Sequence, residues 1–82
     1  MSITPDLTAE IRILTLYNLD SAMEGLKVHQ NAGAEAQRAA QRLFEKGLID
    51  QPDGGYLTEL GIHCAEHIQA ALRILDHSKE TA

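Results

Sequence analysis

Long hydrophobic runs, a second cysteine and an N-terminal basic segment are all missing from this sequence. The longest apolar run has three residues, Ala70 to Leu72, whereas a membrane-spanning helix needs about 18 or more. The first basic residue is Arg12, so the chain does not begin with the basic and apolar pattern of a secretory signal. Cys64 is the only cysteine and has no intramolecular disulfide partner. These absences predict a cytoplasmic protein that has no membrane segment.

The chain of 82 residues forms one domain at most, because domains typically span about 100–200 residues and this chain lies below that range. Apolar residues make up 44% of the chain and charged residues 23%, which is typical of a globular protein and excludes a wholly disordered one. We therefore expect a single domain over residues 1–82, ordered over about 5–77, with a frayed tail over 78–82.

Negative charge predominates, with a net charge of −5, but it is unevenly spread. Residues 1–25 carry a net charge of −3 and residues 47–82 carry −4, whereas residues 26–46 carry +2. An acidic chain has little non-specific attraction for nucleic acid, and these flanks would repel an anionic partner. The middle segment is the only net-basic one, and its basic residues are Lys27, Arg38, Arg42 and Lys46.

Caps and apolar spacing predict the first half of the fold. The first helix begins after Thr4, which can cap free backbone N–H groups, and fades around residues 18–20. Pro5 suits its first position. A capping box starting at Ser21 predicts one helical turn over 21–25, and alternation over 26–29 predicts a short strand.

The second long helix is predicted from about Ala32 to Lys46, between an Asn31 N-cap and a left-handed Gly47. Its inner face is predicted to be Ala36, Ala39, Ala40, Leu43 and Phe44. Its exposed stripe is predicted to be Arg38, Gln41, Arg42 and Glu45.

A hairpin follows, because Pro52-Asp53-Gly54-Gly55 is a turn sequence between two short apolar-bearing strands, 48–51 and 56–58. Thr58 then caps a last helix that extends to about Asp76. Its predicted apolar stripe is Leu60, Cys64, Ile68, Ala71, Leu72 and Leu75. The order of elements predicts a small α+β domain of three main helices and a β-hairpin, with a possible third short strand.

Two segments carry a family resemblance. Arg42-Leu43-Phe44-Glu45-Lys46-Gly47-Leu48-Ile49, a turn, and then Tyr56-Leu57-Thr58-Glu59-Leu60-Gly61 resemble the end of a winged helix of the MarR type, in which a recognition helix is followed by a hairpin wing. Read whole, the chain resembles a small family of uncharacterised bacterial proteins that are sometimes labelled as DNA-binding. The resemblance implies a transcription-associated protein that binds double-stranded DNA.

The candidate DNA-binding side chains lie in the predicted recognition helix and the basic segment around it. Arg reads guanine bidentately and Gln reads adenine, so these residue types suit a major groove. The set is Gln37, Arg38, Gln41, Arg42, Lys46 and Lys27. In the alternative reading, Arg38 and Arg42 pair with Glu35, Glu45 or a neighbouring helix, and the chain is a protein–protein interaction module that has kept the fold without nucleic-acid binding. The acidic wing residues Asp50 and Asp53 favour that alternative.

Metal and catalytic sites are not predicted. His63 and His67 share a helix face, with Glu59 one turn earlier, but two helical histidines are too few for a tight metal site, and Cys64 points into the apolar stripe. No glycine-rich phosphate loop is present, and adjacent helical Cys and His side chains cannot face each other as a nucleophilic pair. The sequence therefore predicts no enzyme, no catalytic residue and no cofactor.

A homodimer is also predicted, because a chain of this length has difficulty covering two broad apolar helices. The surplus apolar positions are Leu16, Tyr17, Ile62 and Ile74.

Overall fold

The structure, a computed structural model, describes residues 2–21, 25–28 and 33–81, with side chains as far as residue 76. Three helices and three short strands follow in the order α1 (Pro5–Thr15), β1 (Leu26–Lys27), α2 (Ala34–Glu45), β2 (Ile49–Gln51), β3 (Gly54–Leu57) and α3 (Glu59–Thr81). The predicted α+β class is confirmed. Residues 22–24 of the single helical turn predicted over 21–25, and the Asn31 cap, lie outside the described ranges.

Helix α1 begins as its sequence predicts. Thr4 is the N-cap, and its Oγ1 accepts a hydrogen bond from the backbone N of Leu7 at 3.1 Å, with Pro5 opening the helix. The helix ends at Thr15, short of the predicted 18–20, with Leu16 as its C-cap. The chain after it is still part of the core, because Tyr17 is buried.

Helix α2 begins at Ala34, two residues later than predicted, and ends at the predicted glycine. Gly47 has a φ of 81°, a left-handed conformation that glycine adopts without a steric penalty. Ala39, Ala40 and Leu43 are buried, but Phe44 is 38% exposed, so its assignment to the inner face was wrong. The buried face is centred on the two alanines, and Phe44 lies at its edge.

The three strands form one antiparallel sheet in the order β1-β3-β2, which confirms the hairpin and the third strand. Strands β2 and β3 pair Ile49 with Leu57, and β1 pairs Leu26 with Gly55. Strand β1 is shorter than the predicted 26–29, although the N of Val28 still donates to the carbonyl of Asp53 at 2.7 Å.

Helix α3 is longer than predicted, since it continues past Asp76 to Thr81. Thr58 joins it to α2, because its Oγ1 accepts from the N of Gly61 and donates to the carbonyl of Gly47. Gly61 then packs against the hairpin so closely that a Cβ built on it would lie 1.9 Å from the carbonyl oxygen of Leu48.

The core lies where α1, α2 and β2 converge. Its largest fully buried side chains are Leu14, Leu43 and Ile49, and α3 contributes Ala65, with Cys64 and Ile68 packed against the cluster. The predicted stripe of α3 was correct only in its middle, because Leu60, Leu72 and Leu75 are exposed. None of the helices in the described ranges has the length and apolarity that crossing a membrane requires.

Candidate functional site

The six predicted DNA-binding residues are placed on two elements. Five belong to α2 or its C-cap, and Lys27 lies on β1. Arg38, Gln41, Lys46 and Lys27 are exposed, whereas Gln37 and Arg42 are half-buried. Arg38, Arg42 and Lys46 follow one another at intervals of four residues, so they lie along the same side of the helix.

Arg42 faces helix α1 and makes three interactions there. Its Nε donates to Glu10 Oε2 at 2.9 Å, and its guanidinium donates to the carbonyl oxygen of Asp6 at 3.2 Å. The Asp6 carboxylate lies 3.9 Å from the same guanidinium. The hydrogen bond to Glu10 raises the pKa of Arg42 further above its ordinary value. The guanidinium therefore joins α1 to α2, as the alternative reading of the sequence expected.

Glu10 is the one charged residue that is buried in the described part of the chain, at 4% exposure. Its second carboxylate oxygen accepts a hydrogen bond from Lys46 Nζ. Burial alone would raise the pKa of Glu10, but the hydrogen bonds and positive charges of Lys46 and Arg42 outweigh burial and lower the pKa below 4.5. Two of the four cations in the basic segment are thus held by one carboxylate.

The surface that remains on α2 is not basic. Its exposed polar side chains are Glu35, Arg38, Gln41 and Glu45, which together carry one positive and two negative charges. Gln41 Nε2 donates to Glu45 Oε2 at 3.3 Å, so its amide already bonds within the helix. The hairpin beside it exposes Asp50 and Asp53. The predicted recognition surface therefore offers Arg38 as its one cation outside an ion pair among the described residues.

His63 and His67 lie on the exposed side of α3. His63 Nδ1 is 3.6 Å from Glu66 Oε1, and Cys64 is half-buried against the core. Over the described ranges, no three His, Cys, Asp or Glu side chains come together in a way that could hold a metal ion.

A polar cleft of about 430 Å³ separates the end of α1 from the middle of α3. Gln69 spans it, since its Nε2 donates to the carbonyl oxygens of Leu14 at 3.1 Å and Tyr17 at 2.9 Å. The charged side chains on its wall are Asp20, Glu66 and Arg73. The Gln69 amide donates hydrogen bonds to backbone carbonyls at and just after the C-terminal end of α1. These bonds fix which turn of α3 lies beside that end.

Beyond Gln69, α3 presents apolar side chains to solvent. Leu72 is 42% exposed and Leu75 is 65% exposed. They continue the line of Ala65, which is fully buried, and Ile68, which packs on the core, at intervals of three, four and three residues. The face that α3 buries in its own domain therefore extends into solvent, and we call Ile68, Leu72 and Leu75 the α3 seam.

The apolar surplus predicted from the sequence is real at three of its four positions. Leu16, Ile62 and Ile74 are exposed, but Tyr17 is only 5% exposed, and its hydroxyl donates to the carbonyl oxygen of Gly55 at 3.1 Å. The sequence also contained the seam, since Leu72 and Leu75 belong to the apolar stripe predicted for the last helix, but it did not show that this end of the stripe is exposed. The missing information was where the core ends along α3, because the apolar spacing continues unchanged from the packed Ile68 to the exposed Leu75.

These features define a small α+β domain whose third helix extends beyond its core. The chain belongs to a family of unknown function, DUF5669, which matches residues 1–76 and so includes the seam. Neither a curated protein nor a solved structure matches the chain.

Proposed function

We propose that this protein is a protein–protein interaction module that binds its partner through the α3 seam. In this proposal it acts in the cytoplasm and has no catalytic residue and no cofactor. The observation that carries the proposal is the exposure of Leu72 and Leu75 on the same helix face as the buried Ala65. A helix face of this kind is typical of a surface that another apolar helix covers.

The charge distribution supports a protein partner over nucleic acid. Phosphate contacts supply most of the affinity for DNA, and they need cations that are not already paired with a carboxylate of the protein. Arg42 and Lys46 would have to give up a buried carboxylate first, which would leave Glu10 as an uncompensated charge. Leu72 and Leu75 present no such conflict, because they are already exposed and, being apolar, hold no ion pair that binding must break.

The proposal is tested by photocrosslinking in living cells that express the full chain. A photoreactive phenylalanine analogue replaces Leu75, or Ile74 as the control, which is equally exposed at 67% but lies outside the seam. We expect a discrete covalent adduct from position 75, abolished when Leu72→Asp is added, and none from position 74. Equal capture from both positions, or no adduct from position 75, would contradict the proposal.

A second candidate function is DNA binding, which rests on the winged-helix resemblance. Three observations favour it: the hairpin directly follows α2, β1 completes the sheet in the order β1-β3-β2, and Thr58 caps the helix after the second hairpin strand. In this candidate, α2 enters a major groove and Arg38 and Gln41 reach the bases. Its test appears among the predictions below.

A further inference from the structure

We infer that the partner on the α3 seam is a second copy of the same chain, with the two α3 helices packed antiparallel. This inference rests on the proposed function and names the partner for the same face. It differs from the dimer predicted from the sequence in its contact residues, because the seam replaces Tyr17, which is buried, and Ile74, which lies outside the seam.

The spacing of the seam suits a helix pair. Ala65, Ile68, Leu72 and Leu75 alternate three- and four-residue steps, which is the pattern by which two helices interlock their side chains. From Ile68 to Thr81 the helix rises by about 20 Å, at roughly 1.5 Å per residue. Two such segments related by a two-fold axis bury the same surface on each copy, so the seam of one copy covers the seam of the other.

Charge favours a second copy in the antiparallel orientation. The whole chain carries −5, so two copies repel each other over most of their surfaces. Residues 71–76 are neutral, because Arg73 and Asp76 are their only charged residues. Arg73 and Asp76 lie three residues apart on one flank of the seam, and an antiparallel pair brings the same flanks of the two helices together, so Arg73 of each copy lies on the side of Asp76 of the other. The helix dipoles also oppose each other in the antiparallel pair.

The end of α1 enlarges the apolar area. Gln69 bonds to the carbonyls of Leu14 and Tyr17, so Leu16, which is 65% exposed, lies beside the turn of α3 where the seam leaves the core. The seam and Leu16 comprise four side chains, whereas stable complexes bury roughly 800 Å² and about 20–30 residues per partner, so we expect a smaller contact. We therefore expect a dissociation constant on the order of micromolar or weaker.

Sedimentation equilibrium of the purified full chain, up to millimolar concentration, tests the inference. We expect wild type to approach twice 9.0 kDa, Leu72→Asp/Leu75→Asp to remain at 9.0 kDa, and Ile74→Asp to behave as wild type. All three side chains are exposed in the single chain, so the substitutions should leave the fold intact, which circular dichroism checks. A wild-type chain that stays at 9.0 kDa, or a double variant that still dimerises, would overturn the inference. If the wild type stays monomeric while position 75 still crosslinks to another protein in cells, the inference fails and the proposed function stands.

Discussion

Glu10 and Arg42 are 32 positions apart in the chain, yet Arg42 Nε donates to Glu10 Oε2 at 2.9 Å. Glu10 is buried on the face of α1 that also presents Ile13 and Leu14 to the core, and Lys46 binds its other oxygen. Glu10 therefore does two things at once: it fastens α1 to α2, and it holds Arg42 and Lys46, two of the cations on which the predicted DNA binding would depend.

Glu10→Gln is expected to destabilise the fold by about 1–3 kcal/mol, because a charge-assisted hydrogen bond is replaced by a neutral one and a second is lost. The matched control is Glu45→Gln, since Glu45 is exposed and bonds only to Gln41 within its own helix among the contacts described. Urea denaturation measures both. Equal midpoints for the two variants would show that the carboxylate of Glu10 contributes nothing to stability.

Glu10 should also make stability depend on pH. Its pKa in the folded chain lies below the ordinary 4.5, so its contribution is present above pH 4.5 and is lost as the pH falls through the lower, folded-state value. The free energy of unfolding of the wild type should therefore fall more steeply below pH 4.5 than that of Glu10→Gln. The difference between the two curves isolates Glu10 from the other carboxylates. Parallel curves would contradict the assignment.

Tyr17 should titrate far above an ordinary tyrosine. Burial, and then the negative charge of Asp50, raise its pKa from 10.0 to about 12. Because the folded-state pKa of Tyr17 is higher than its unfolded-state pKa, the contribution of Tyr17 to stability is complete below pH 10. This contribution is lost as the pH rises from 10 towards 12. Phenolate absorbance in a Tyr56→Phe background follows Tyr17 alone. A midpoint near 10 would show that the phenol is not enclosed, and Asp50→Asn should lower the midpoint.

Local signals in the sequence predicted the local structure well. The Thr4 cap, the Gly47 terminator and the hairpin turn each depend on residues within a few positions of one another, and each is present. The end of α3 was misjudged because His77-Ser78-Lys79 contains no glycine or proline, and only its polarity suggested a stop.

The candidate site was harder to predict, because it depends on which helix lies opposite which. Nothing in α2 alone shows that Arg42 and Lys46 face a carboxylate. One signal did exist in α1, where Glu10 lies three and four residues before Ile13 and Leu14 and therefore on the buried face. A charged residue on such a face needs a partner, and the basic segment holds four of the seven Lys and Arg residues of the chain.

DNA binding, if it occurs, should be weak and only modestly sensitive to salt. Among the described residues, Lys27 and Arg38 are the cations of the basic segment outside ion pairs, so the slope of log affinity against log salt should be no steeper than about −2. A chemical-shift titration with duplex DNA compares wild type, Lys27→Ala/Arg38→Ala and the control Arg73→Ala, which removes an exposed arginine from α3.

The DNA candidate would gain ground from shifts on α2 and β1 that persist at moderate salt, are lost in the Lys27→Ala/Arg38→Ala variant and are kept in Arg73→Ala. The α3 proposal predicts that DNA causes no chemical-shift changes, or that any changes disappear equally from all three proteins at moderate salt.

The most direct measurement is the rate at which a thiol on the seam reacts in cells. In a Cys64→Ala background, cysteine is placed at position 75 or at position 74, where the native side chains are 65% and 67% exposed in the single chain. Alkylation should be several-fold slower at 75 than at 74 in intact cells, and adding Leu72→Asp should make the two rates equal. Equal rates without that substitution would mean that nothing covers the seam, and the proposed interaction surface would be wrong.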